Sequence, residues 1–163
     1  MAQNHSTVKT SPQASTKATT REGDSKGKVR IPDPILIDID AQGYKDLLVR
    51  RRGRPVMVNF WATWCEPCRD EYPMINDLAR TYAPQGLAVV GISLDDDAEM
   101  GLVRRFLARM KPIFPNYRKK PGNDEPFINS VSAEWSGAIP ATFFYDRDGW
   151  QQARLVGEYN RAA

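Results

Sequence analysis

Histidine is nearly absent from this sequence of 163 residues, and cysteine occurs only twice. The one histidine is His5; the cysteines are Cys65 and Cys68. Two cysteines exclude a miniprotein stapled by several disulfides. Charge of one sign is also lacking. Lys and Arg number 23 against 20 acidic residues, a net +3. That balance gives no nucleic-acid surface of the usual strength. No stretch approaches the roughly 18 apolar residues of a membrane span. No internal repeat is visible. What is present is a chain that is 41% hydrophobic, long enough for one domain plus a tail.

Residues 1–30 hold no Phe, Tyr or Trp and are rich in Ser, Thr, Lys and Gln. Such a segment buries too little apolar surface to offset its ordering entropy. It reads as a flexible leader or linker, followed by one domain over residues 31–163. It lacks the apolar core of about 7–15 residues that a signal peptide needs. That leaves a cytoplasmic location or a targeting segment outside this stretch.

The run Ile35-Leu36-Ile37-Asp38-Ile39 predicts a strand, and the spacing of Tyr44, Leu47 and Leu48 predicts a helix over 42–52. Residues 56–61 read as a central strand. A helix follows from about 65 to 82, with Pro67 in its first turn and Pro73 as a kink. Residues 87–93 are the next strand. Asp95, Asp96 and Asp97 offer caps for a helix over 98–110 with Leu102, Val103, Phe106, Leu107 and Met110 on its apolar face. Residues 112–135 look irregular, with a short helix near 126–133. Arg118, Lys119 and Lys120 there read as an exposed loop. Residues 142–145 and 151–157 form a hairpin about Asp146-Arg147-Asp148-Gly149. The pattern predicts an α/β domain with a mixed sheet.

The cysteines sit in Trp64-Cys65-Glu66-Pro67-Cys68. Tetrahedral zinc needs about four ligands, and no second Cys pair or suitable His exists. Covalent haem attachment needs His directly after the second Cys, where Arg69 stands. A strand end followed by a helix start puts Cys65 at a helix N-terminus. Unpaired N–H groups and the helix dipole stabilise a thiolate there. Cys68 lies one turn on and closes a small ring. Cys65 is then the exposed nucleophile and Cys68 the shielded resolving thiol. Trp61 and Trp64 are expected to wall the site.

The run Asn59-Phe60-Trp61-Ala62-Thr63-Trp64-Cys65-Glu66-Pro67-Cys68 resembles the thioredoxin superfamily, and more narrowly the bacterial TlpA/ResA-like thiol-disulfide oxidoreductases. Gly137-Ala138-Ile139-Pro140-Ala141-Thr142-Phe143 and, more weakly, Val90-Gly91-Ile92-Ser93-Leu94-Asp95 add to the likeness. The resemblance implies a thioredoxin-like fold, a mixed sheet flanked by helices. The helix that usually closes that fold looks missing before Ala163, which would leave apolar sheet surface open. The resemblance also implies a cis-proline at Pro140 facing the dithiol, with Ile139 pairing to an extended substrate segment. On residues alone, Pro140 is either cis or simply the start of a strand. Trp64, Glu66 and Pro67 complete the expected contact surface.

Asn59 stands where cytoplasmic thioredoxins commonly carry a buried Asp. Glu71, three residues after Cys68, is then the candidate proton acceptor; otherwise it is a surface residue in the charged run Arg69-Asp70-Glu71. Glu66 opposes a thiolate at Cys65, which points to the reducing end of the scale, near the about −270 mV of thioredoxin. The resemblance further implies disulfide-bearing protein partners, an electron-donating thiol protein, no metal or other cofactor, and an extracytoplasmic setting such as cytochrome c maturation. Two alternatives stay open: a redox-regulated binding module, and a peroxide-reducing relative, although the Pro and Thr pattern before a peroxiredoxin cysteine is not found.

Overall fold

The computed structural model describes residues 36–157. The expected leader, and any helix after the last strand, concern residues outside that range. Six strands form one sheet: β1 (Ile37–Ile39), β2 (Val56–Trp61), β3 (Ala88–Ser93), β4 (Asn116–Lys119), β5 (Ala141–Tyr145) and β6 (Gln151–Val156). Their spatial order is β1-β4-β3-β2-β5-β6. The first three pairings are parallel and the last two antiparallel, so the sheet is mixed. Among the described residues four α-helices flank it: α1 (Ala41–Val49), α2 (Glu66–Tyr82), α3 (Met100–Met110) and α4 (Glu125–Val131).

Strand alternation divides the side chains of β2 between two faces. Val56, Val58 and Phe60 join Tyr44 and Leu47 of α1, Phe127 and Val131 of α4, Trp135, Phe143 and Tyr145 in one cluster. Met57 and Trp61 join Cys65, Cys68, Tyr72 and Ile75 around α2, and Val103, Phe106 and Leu107 of α3, in the other. Trp135, which precedes the loop of Pro140, is core. It packs on Phe60 and Phe143 with ring centroids 4.7 and 5.3 Å apart. Asp40 caps α1 by accepting from Gly43 N–H at 2.9 Å. Helix α2 continues through Pro73 as one element.

The segment expected to be irregular holds a strand. β4 inserts between β1 and β3, and Arg118 and Lys119 are buried in it rather than exposed in a loop. The Arg118 guanidinium donates to both oxygens of Asp38 (2.7 and 2.5 Å) and to Asp97 (2.7 Å). Lys119 pairs with Asp124 and donates to the Lys120 carbonyl. Paired and hydrogen-bonded in this way, the two charges tolerate burial. A 3-10 turn (Asp97–Glu99) precedes α3, and Asp96 and Glu99 form a capping box there. Leu102 lies exposed, off the apolar face assigned to it, whereas Val103, Phe106 and Leu107 are buried. No helix among the described residues is long and apolar enough to cross a membrane.

Candidate active site

The C-terminal ends of β2 and β3 carry the site. β2 leaves the sheet at Trp61, and residues 62–65 turn into α2. Cys65 has extended backbone and is the N-cap of α2, with its Sγ accepting from Cys68 N–H at 3.3 Å. A 17-residue helix therefore directs its unpaired N–H groups and positive dipole end at this sulfur. Pro67 sits in the first turn, where its missing N–H leaves no bond unmade.

Cys65 and Cys68 are joined as a disulfide, with Cα atoms 5.3 Å apart. Cys65 keeps 6% of its surface in contact with solvent and Cys68 none. The asymmetry has the expected direction, though Cys65 is far from open in this oxidised form. The two tryptophans differ. Trp64 stands 63% exposed beside Cys65. Trp61, the last residue of β2, is fully buried, packed on Tyr72 and Phe106 and donating to Asn116 Oδ1 at 3.1 Å, in the cluster that holds both cysteines. Glu66 is exposed between the cysteines.

A buried polar cluster links α2 to β2 and β5. Asn59 Nδ2 donates to Glu71 Oε1 and to Thr142 Oγ1, both at 3.1 Å. Thr142 stands opposite Asn59 in the β2–β5 register, which brings the cluster to within two residues of Pro140. Glu71 is buried, not a surface residue. Burial pushes its carboxyl above the ordinary value, and the hydrogen bond from Asn59 partly offsets this. Asn59 Oδ1 and Glu71 Oε2 are buried with no hydrogen-bond partner among the described residues. Leaving such an atom unpaired costs about 1–3 kcal/mol.

The Ile139–Pro140 peptide is cis. Pro140 is buried, and Ile139 packs against the cluster that contains both cysteines. Among the described residues the backbone N–H and C=O of Ile139 have no hydrogen-bond partner. They are available to an extended chain laid beside them. Of the residues singled out in the sequence, Trp64 to Cys68 and Glu71 lie on the β2–α2 loop and α2, Ile139 and Pro140 lie before β5, and Ile139 packs in the cluster that holds both cysteines. No group of His, Cys, Asp and Glu able to hold a metal occurs among the described residues.

Asp95 also departs from its sequence reading. Asp95 caps no helix. It is buried behind residues 62–65 and accepts from Thr63 and Ser93. Its Asp-Asp-Asp context reads as capping, and only its position opposite Thr63 in space reveals its partners.

Comparison with known proteins narrows the class. The profile of the AhpC/TSA family matches residues 29–151, three quarters of the chain. The chain belongs to the AhpC/TSA family. Within curated relatives it is 31% identical over 128 residues to the thiol-disulfide oxidoreductase ResA of Bacillus cereus, covering 78% of this chain and 69% of that protein. It is 30% identical over 126 residues to ResA of Geobacillus kaustophilus, covering 77% and 67%. A thiol:disulfide interchange protein of the thioredoxin family from Chlorobium tepidum superposes with a TM-score of 0.58 at 28% identity, covering 70% of this chain and 77% of that one. A secreted disulfide oxidoreductase of Mycobacterium tuberculosis shares the fold at 24% identity, with a TM-score of 0.52, covering 67% of this chain and 73% of that one. The fold of this AhpC/TSA member is accordingly thioredoxin-like.

Proposed function

We propose that this protein is a protein-disulfide reductase working through Cys65 and Cys68. The observation that carries the reading is the placement of Cys65. It caps α2, is bonded to a fully shielded Cys68, and packs in the same cluster as Ile139. In the reduced protein the Cys65 thiolate attacks a partner disulfide. A Cys65–partner bond forms, the partner S–S bond breaks, and the released partner thiolate takes up a proton. Cys68 gives its proton to Glu71 and attacks Cys65 Sγ. The second partner thiolate leaves, and the Cys65–Cys68 disulfide holds the oxidised state. Two electrons have passed to the partner, and an electron-donating thiol protein restores the dithiol.

The remaining residues have assigned roles in this scheme. Ile139 pairs its free backbone groups with an extended partner segment, and Pro140 shapes that edge. Trp64 and Pro67 supply apolar contact surface, and Glu66 keeps the thiolate from being over-stabilised. A buried Glu71 with a raised pKa suits a proton acceptor better than an ordinary carboxylate does, because its affinity lies nearer that of a thiol. The resemblance to ResA supports partners outside the cytoplasm, in cytochrome c maturation or a similar repair of oxidised cysteines.

Reduction of insulin by the wild type and by Cys65→Ala tests the activity. Turnover by the wild type that vanishes in the variant is expected. Turnover that survives in Cys65→Ala overturns the assignment. Binding of partners without any wild-type turnover points instead to a redox-regulated binding module. Cys68→Ser is expected to trap partners as mixed disulfides, and a glutathione titration is expected to place the potential nearer about −270 mV than about −120 mV.

A further inference from the structure

Asp95 follows β3 and is shut away from water, with 1% of its surface exposed. Its two oxygens accept from the Thr63 N–H at 3.1 and 3.0 Å, from Thr63 Oγ1 at 2.5 Å and from Ser93 Oγ at 2.6 Å. Its own N–H donates to Ser93 Oγ at 3.0 Å. All these donors are neutral, and among the described residues no Lys or Arg is paired with this carboxylate. A buried carboxylate without a counter-ion is costly and persists only where its hydrogen bonds are complete. Helix capping does not account for it, since Asp96 and Glu99 do that work.

What Asp95 holds is the approach to the disulfide. Thr63 precedes Cys65 by two residues, in the stretch that joins β2 to α2. Locally that stretch is tied by Cys65 N–H to Ala62 C=O at 3.2 Å. Trp64, between Thr63 and Cys65, projects into solvent and gives little packing restraint. The tie from the end of the neighbouring strand is made by both hydrogen-bond donors of Thr63, its N–H and its hydroxyl, and both go to Asp95.

We propose that Asp95 is a positioning residue for the dithiol, fixing Thr63 and through it the placement of Cys65 at the head of α2. The inference rests on the dithiol being the redox centre proposed above. Two consequences act in the same direction. A fixed Cys65 raises the effective concentration of one sulfur at the other, which favours the closed disulfide. The carboxylate beside the loop also opposes a thiolate at Cys65. Both favour the disulfide over the dithiol, and so make the reduced protein a stronger reductant.

The test measures the dithiol–disulfide equilibrium in glutathione buffers, and the rate at which iodoacetamide alkylates reduced Cys65. The proteins are wild type, Asp95→Asn, Thr63→Val and Thr63→Ser, each checked for folding by circular dichroism. Asp95→Asn is expected to shift the equilibrium toward the dithiol by about tenfold, a rise of about 30 mV, and to speed alkylation. Thr63→Val shifts it less, because the N–H tie and the charge remain. Thr63→Ser keeps the hydroxyl and the wild-type value. A folded Asp95→Asn with wild-type potential and alkylation rate overturns the proposal. If Asp95→Asn does not fold, the Thr63 pair decides: a shift in Val that Ser rescues supports the proposal, and equal values overturn it. No partner protein enters these measurements. A wild type inactive on insulin would therefore sink the proposed reductase and leave this test standing.

Discussion

The two faces of the sheet are built from the same strands to different standards. On the α1–α4 face, Phe60 sits among Tyr44, Phe127, Trp135 and Phe143, with ring centroids between 4.7 and 6.2 Å. Its buried hydroxyls, Tyr44 and Tyr145, satisfy one another across 2.6 Å, and burial raises the pKa of both. On the α2–α3 face, Asn59, Glu71 and the disulfide interrupt the apolar packing, and two buried oxygens have no partner among the described residues. One face is arranged for stability. The other carries unmatched polar groups where the sulfur chemistry is expected. Local violations of good packing of this kind mark functional sites more often than defects.

The widest separation between the faces comes from two truncations. Under the proposed function, Cys65→Ala is expected to remove all disulfide reduction and to leave the aromatic face untouched. Phe60→Ala, one position from Asn59 and on the opposite face, costs about 3–5 kcal/mol of stability. Its activity per folded molecule remains close to wild type. Urea unfolding and insulin reduction on the same samples check both. Equal damage to stability and activity in Phe60→Ala would mean that the faces are not separable.

A smaller effect comes from Tyr145→Phe, which strands the Tyr44 hydroxyl in the aromatic face at about 1–3 kcal/mol. Adding Tyr44→Phe removes the stranded group and recovers part of that loss. A double-mutant cycle by urea unfolding measures the coupling, and simple additivity would contradict it.

The smallest effect runs the other way. Burial holds the Glu71 carboxyl above its ordinary value in the folded protein. The unfolded chain releases that proton near pH 4.3. Between that point and the folded value the native state binds more protons, so stability falls as pH rises through the window. Glu71→Gln removes this dependence. Its unfolding midpoint is expected to vary less between about pH 4 and about pH 8 and to lie slightly above wild type at the upper end. The same variant is expected to slow release of a partner trapped on Cys65, as followed by loss of the mixed disulfide. An unchanged pH profile and release rate would place Glu71 with the inert groups.

What was legible in the sequence was whatever a short run of residues decides alone. Trp64 to Cys68 defined a strand-to-helix turn because Pro67 fits only the first turn and the apolar run before it fits only a buried strand. The mixed sheet followed from the element order and the final hairpin. β4 was invisible because Arg118 and Lys119 read as surface residues. Their burial depends on Asp38, Asp97 and Asp124, which chain order does not place beside them. Asp95 was misread for the same reason, since Thr63 is 32 positions away. Leu102 was placed on the core face by its spacing, and α3 simply turns that edge of its stripe to solvent.

The insertion of β4 between β1 and β3 has a consequence for the order of assembly. Among the described residues β1 pairs with β4 alone, Ile37 against Tyr117, and α1 packs on α4. The segment of β1 and α1 thus waits for partners some 80 positions further on, while β2 and β3 are already able to pair. At roughly 5–20 residues per second that wait is about 4–16 s on the ribosome. Through that interval the apolar edge of the young sheet is open, and its protection falls to whatever covers nascent chains.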